Sequence, residues 1–147
     1  MRVAGVILAG GKGSRIGGGK PLLPFGEGVL IDAVIGRAAP QVELLALNVP
    51  YTEEEVYRAR YGARFDLVTD PFEQGAGPLA GIVGGLLWAR DVDAAWLATF
   101  PCDAPFLPRN LVARLMAARV GEQPCAAEDA SGFQGVCAVW PVACADR

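Results

Sequence analysis

Histidine is missing from all 147 residues. Its absence excludes His-ligated zinc, imidazole general bases and Ser-His-Asp triads. Any metal would have to be held by carboxylates, which suits a hard ion such as Mg²⁺. Lysine is nearly missing too: only Lys12 and Lys20 occur, against eleven arginines. The four cysteines (Cys102, Cys125, Cys137 and Cys144) include no CxxC pair. A thiolate zinc site or dithiol redox motif is therefore not expected, and the cysteines read as small buried hydrophobes in a reducing, cytoplasmic setting. No run of about 18 apolar residues exists, so no membrane span is expected, and the N-terminal apolar run is too short and glycine-rich for a signal peptide. A net charge of −3 leaves no broad basic face for nucleic acid, so positive charge must be local where it matters.

It is local in one place. Both lysines lie in GVILAGGKGSRIGGGKPLLPF, Gly5 to Phe25. A short apolar strand (Val6, Ile7, Leu8) runs through Ala9 into Gly10, Gly11, Gly13, Gly17, Gly18 and Gly19, with Arg15 and Lys20 among them. Glycines let backbone N–H groups turn toward a ligand without Cβ clashes. Positive charges beside such groups make a polyphosphate site, here at a strand's C-terminal end, where open α/β sheets bind ligands. The plain alternative is a flexible loop that kept two lysines by chance. Two familiar motifs are excluded by spacing. Gly11 and Gly13 give G-x-G, but Ile16 occupies the third glycine position of the dinucleotide fingerprint. Lys20 is followed by Pro21 rather than Ser or Thr, and Ser14 stands where a P-loop begins.

With 52% hydrophobic and 20% charged residues, the chain is long enough for one domain with one core. Apolar runs alternate with helical patterns, which predicts a mostly parallel α/β sheet. Strands are expected at 3–8, 42–49, 65–68, 94–100, 124–127 and 136–140. Helices are expected from Leu30 to a stop at Pro40, over 53–61 with Thr52 as cap and Glu55 completing a capping box, from Pro78, and over 109–119. The helix from Pro78 carries Leu79, Ile82, Val83, Leu86 and Leu87 at the spacing of a buried stripe, with Ala80, Gly81, Gly84 and Gly85 permitting close approach. The final VACADR shows no closing element.

Four further features bear on chemistry. Asp103 directly follows a wholly apolar strand and sits between Pro101 and Pro105. That is the place and chemistry of an Mg²⁺ ligand, with a turn-forming Asp as the alternative. Asp70, before Pro71, also ends a strand; it can join the same metal-phosphate site or simply mark a turn. Asn48 ends the strand LLALN and can hydrogen-bond a base or ribose, or cap the next turn. Gly75, Gly77 and Pro78 bring a helix N-terminus, with its N–H groups and dipole, to the same edge. Trp88, Trp96 and Trp140 read as core or interface, and Glu53 to Glu55 as a solvated helical turn.

LAGGKGSRIGGGK, GAGPLAGI and PCDAPFLP, in that order, resemble the molybdenum cofactor guanylyltransferases, a branch of the nucleotidyltransferases. The first motif is shared across the superfamily; the other two favour the guanylyl branch. The resemblance runs from Val3 to about Trp140 and implies a three-layer Rossmann-like α/β fold with a mostly parallel central sheet. It implies that Leu8, Ala9, Gly10 and Gly11 lie against the nucleotide and Lys20 contacts the phosphates. Arg15 would support the triphosphate, Asn48, Asp70 and Gly77 would bind GTP, and Asp103 would hold its Mg²⁺. It further implies GTP and molybdopterin as substrates and neither nucleic acid nor membrane as partner. Contact with molybdenum-cofactor biosynthesis or acceptor proteins is implied as well, with a cytoplasmic monomer or weak homo-oligomer. The nearer alternative is another nucleotidyltransferase, such as a CTP-dependent pterin or sugar-phosphate transferase; the farther one is a non-catalytic nucleotide-binding relative. The chain departs from the family pattern at Gly19, where members often carry Asp, and at Gly135, where they often carry Pro. Residues 1–147 are expected to be a single nucleotidyltransferase domain lacking the family's C-terminal part, which helps close the pterin side.

Overall fold

A computed structural model describes residues 2–9, 22–69, 78–129 and 132–146. Val3–Leu8 (β1) is the central strand, and its side chains alternate between two apolar layers. Ala4, Val6 and Leu8 face one, Ile7 and Ala9 the other. A strand covered on both faces has to be apolar throughout, which is why its sequence reads as an unbroken run. Leu44–Val49 (β4) pairs parallel on one side of β1 and Trp96–Pro101 (β6) parallel on the other. Asp66–Thr69 (β5) adds parallel outside β4. Beyond β6, Gly132–Pro141 (β8) and Cys125–Asp129 (β7) are antiparallel. The six-stranded order is β5-β4-β1-β6-β8-β7. Pro24–Phe25 (β2) and Gly28–Val29 (β3) form a small separate hairpin that the strand patterning did not anticipate, turning at Gly26 with φ 60°.

Helices cover both faces, giving three layers. Leu30–Ala38 (α1), Glu54–Tyr61 (α2) and Leu111–Ala118 (α4) pack on the Ile7 face through Ile31, Val34, Tyr57, Tyr61, Leu111 and Leu115. Pro78–Asp91 (α3) packs on the Val6 face through Ile82, Leu86 and Ala89. Asp32 fastens three elements of the first layer. It accepts from the Val29 amide at 3.1 Å, closing the start of α1. It also accepts from the Tyr61 hydroxyl of α2 at 2.6 Å and lies 3.7 Å from the Arg60 guanidinium. Burial alone raises the Asp32 pKa; the Tyr61 and Val29 hydrogen bonds and the charges of Arg60 and Arg64 outweigh it and hold the carboxyl below its usual value. Burial and the bond to Asp32 push the Tyr61 hydroxyl up to about 12, so it stays a donor.

Several expectations need correction. Thr52 does not cap α2: after Pro50 the chain tightens into a 3-10 turn over Tyr51–Glu53, closed by Glu53 N–H to Pro50 O, and Glu53 takes the cap position. The buried stripe of α3 is rotated from the expected one. Gly81 and Gly85 lie against the sheet, Leu79 is 62% exposed, and Val83 and Leu87 are half-buried. Backbone proximity explains this. A Cβ at Gly81 would lie 2.5 Å from Asn48 Oδ1, and one at Gly85 2.9 Å from Val6 Cγ1. The sheet therefore selects the glycine face, and the larger residues flank it. Within the final VACADR a 3-10 turn forms over Val142–Asp146, and its Val142 joins the α3-side core. The four cysteines are half-buried rather than buried. Trp96 is core as expected, while Trp88 and Trp140 are half-buried and donate to Asp66 and Thr99.

Candidate active site

The strand order reverses at β1: β4 and β5 lie to one side, β6 to the other. In an open α/β sheet the crevice at such a reversal, outside the carboxyl ends of the strands, is where ligands bind. The register aligns those ends. Leu8 stands opposite Asn48 on one flank and Pro101 on the other, and Val49 stands opposite Thr69. The segments that follow β1, β4, β5 and β6 thus leave the sheet at one edge. Of the expected site residues, Leu8, Ala9, Asn48 and Asp103 belong to this described edge. Gly10, Gly11, Arg15, Lys20, Asp70 and Gly77 lie outside the described residues, as does Lys12.

Ala9 extends the ladder one residue past β1, its amide donating to Asn48 O at 2.7 Å. A backbone contact from Ala9 to a ligand must therefore use its carbonyl. Asn48 is almost fully buried, 2% exposed, on the α3 side of the sheet. Its Nδ2 donates to Val68 O at 3.2 Å, tying β4 to β5, and Gly81 of α3 lies directly over its carboxamide. The amide does not cap the following turn, whose cap position carries no side-chain bond. Asp103 is exposed, two residues beyond the β6 ladder.

The segment carrying Asp103 is held at both ends. On the sheet side, Pro101 is in register with Leu8. On the far side, Leu107 is buried, its amide donates to Ala104 O at 3.3 Å, and its carbonyl accepts from Arg37 Nη1 at 3.1 Å. Gln41 donates to Pro108 O at 2.9 Å. The 24–29 hairpin also reaches this segment, through an edge-to-face contact of Phe25 on Phe106 with centroids 5.9 Å apart. Arg37 and Gln41 escaped the sequence reading, and no local signal marks them: their partners lie about 70 residues along the chain.

The donor set suits a hard cation shared with a substrate. Among the described residues no cluster of three or more His, Cys, Asp or Glu could cage a metal alone. A single exposed carboxylate beside a phosphate site is the usual protein share for Mg²⁺, which keeps waters and phosphate oxygens as its other ligands.

The chain matches the MobA-like NTP transferase domain over residues 5–147. A molybdenum cofactor guanylyltransferase from Mesorhizobium japonicum is 40% identical across 98% of this chain and 69% of its own length. The chain belongs to the molybdenum cofactor guanylyltransferase family. A second member of that family, from Rhodopseudomonas palustris, is 42% identical across 92% of this chain and 65% of its own length. The chain thus spans about two thirds of the length of these guanylyltransferases. Molybdopterin-guanine dinucleotide biosynthesis protein A from Archaeoglobus fulgidus shares the fold, with a TM-score of 0.73 at 21% identity over 97% of this chain and 69% of that one. Family membership makes the chain a nucleotidyltransferase.

Proposed function

We propose that this chain transfers GMP from GTP to the phosphate of molybdopterin, releasing pyrophosphate and forming the guanine dinucleotide cofactor. The observation that carries the reading is the shared edge: Leu8, Asn48 and Pro101 are in register, so the glycine- and lysine-bearing segment starts beside the segment holding Asp103. An oxygen of the pterin phosphate attacks the α-phosphorus of GTP in line, and the bond from that phosphorus to the β-phosphate bridging oxygen breaks. The attacking phosphate is already anionic, so no general base is required, which fits a chain without histidine. What the protein supplies is alignment and charge neutralisation.

Lys20, Arg15 and the amides from Gly10 and Gly11 hold the departing pyrophosphate. Asp103 would hold Mg²⁺, which would supply positive charge to neutralise the phosphates. Asp70, Gly77 and the start of α3 receive the nucleoside. Asn48 acts from beneath, fixing the β4–β5 edge on which the nucleoside rests, and Leu8 and Ala9 form the floor. No helix among the described residues is long and apolar enough to cross a membrane; the cytoplasmic setting expected from the cysteines is kept as part of this proposal.

The test is pyrophosphate release from GTP with molybdopterin supplied, together with a nucleotide panel in a thermal-shift assay with Mg²⁺. Release dependent on molybdopterin, and stabilisation by GTP above CTP, ATP and UTP, is the expected outcome. A CTP preference would assign the chain to a different transfer. GTP binding without release would leave it a binding module.

A further inference from the structure

We propose that Gln41, assisted by Arg37, is a positioning residue for Asp103, and through it for the metal–nucleotide complex. This rests on the role given to Asp103 above. Gln41 lies in the 3-10 turn Ala39–Gln41 that follows α1, and its carboxamide works in three directions. Nε2 donates to Arg37 O and to Pro108 O, each at 2.9 Å. Oε1 accepts from the Val112 amide at 2.8 Å. Arg37 adds its bond to Leu107 O. The far end of the 101–108 segment is thus fixed to α1, while its near end is fixed to β1 through the β6 ladder. Asp103 hangs between two anchors on different elements, in a stretch stiffened by Pro101, Pro105 and Pro108.

That arrangement suits a carboxylate that must meet a cation in fixed geometry. Mg²⁺ tolerates little departure from octahedral coordination. Groups that orient a metal ligand from outside typically govern affinity or activity by about 10- to 100-fold. The rival account is that Gln41 only caps α4, whose own cap residue, Asn110, makes no side-chain capping bond. The two accounts use different atoms. Capping needs Oε1, whereas holding the Asp103 segment needs the Nε2 donor. Gln41→Glu separates them: an acceptor remains for Val112, but both donors are replaced by an oxygen facing two carbonyls.

The experiment follows thermal stability of the full chain at a fixed, saturating GTP concentration while Mg²⁺ is titrated, for the parent, Asp103→Asn, Gln41→Glu and Gln41→Ala. The expected result for Gln41→Glu is a Mg²⁺ midpoint raised about tenfold, alongside some loss of ligand-free melting from the oxygen now facing two carbonyls. Gln41→Ala should show the same Mg²⁺ shift together with lowered ligand-free melting. If Asp103→Asn moves the Mg²⁺ midpoint and neither Gln41 variant does, the positioning role is overturned while the Asp103 reading stands. If Asp103→Asn itself leaves the midpoint unmoved, the Asp103 reading fails and the positioning role falls with it. Should Gln41→Glu not fold, the midpoint for Gln41→Ala decides.

Discussion

Individual side chains in this molecule are valuable for what they hold apart or together. Asp32 joins the hairpin, α1 and α2 through one carboxylate. Its folded-state pKa is depressed, so its stabilisation is fully present above its unfolded pKa and is lost as pH falls through the folded one. Asp32→Ala is expected to cost roughly 1–2 kcal/mol near neutral pH, the scale of a lost helix cap and hydrogen bond. The gap from the parent should narrow as pH drops below about 4; denaturant melts across a pH series measure it, and a pH-independent gap would contradict the ionic account. In the proposed reaction Lys20 belongs to the chemistry. Removing a charge that acts on the transition state costs roughly 3–4 kcal/mol, so Lys20→Ala should lower turnover by about 10²–10³ while the fold melts normally. Near-parent turnover in a pyrophosphate-release assay would remove Lys20 from the mechanism.

At the scale of elements, α3 shows how the same substitution can have opposite signs. Gly36 in α1 is exposed, and a Cβ there meets nothing within 4 Å. Gly36→Ala should therefore stabilise by up to about 1 kcal/mol, the difference in helix propensity. Gly81 and Gly85 would gain the same propensity, but their Cβ atoms would press on the buried, hydrogen-bonded Asn48 and on fully buried Val6. Overpacking of this kind costs about 1–3 kcal/mol, so Gly81→Ala and Gly85→Ala should each be net destabilising. Thermal melts of the three variants test the contrast. The Gly81 change should also weaken GTP binding, because it displaces the residue that fixes the β4–β5 edge. The glycines of α3 were visible in the sequence as a device for close approach. The direction of that approach was not, because leucine spacing alone defines a stripe and says nothing of how near a backbone can come.

For the whole molecule, one sheet carries both helical layers, and its central strand contributes alternate residues to each. Neither layer has a core of its own without β1, β4 and β6. We therefore expect one cooperative unit: tryptophan fluorescence and far-UV circular dichroism should report the same denaturation midpoint. Separate midpoints would mean that the layers melt independently.

What the chain's own pattern determined is the alternation of elements and the buried central strands. These follow from local rules: unbroken apolar runs for strands covered on both faces, and helical spacing between them. The three motifs were enough to indicate the family. The tertiary structure alone decided that Asn48 lies buried beneath α3, that α3 turns its glycines inward, and that Arg37 and Gln41 hold the Asp103 segment. Each of these depends on which distant residues the strand order brings together, and contacts bridging about 70 residues of chain leave no mark on the spacing of their neighbours.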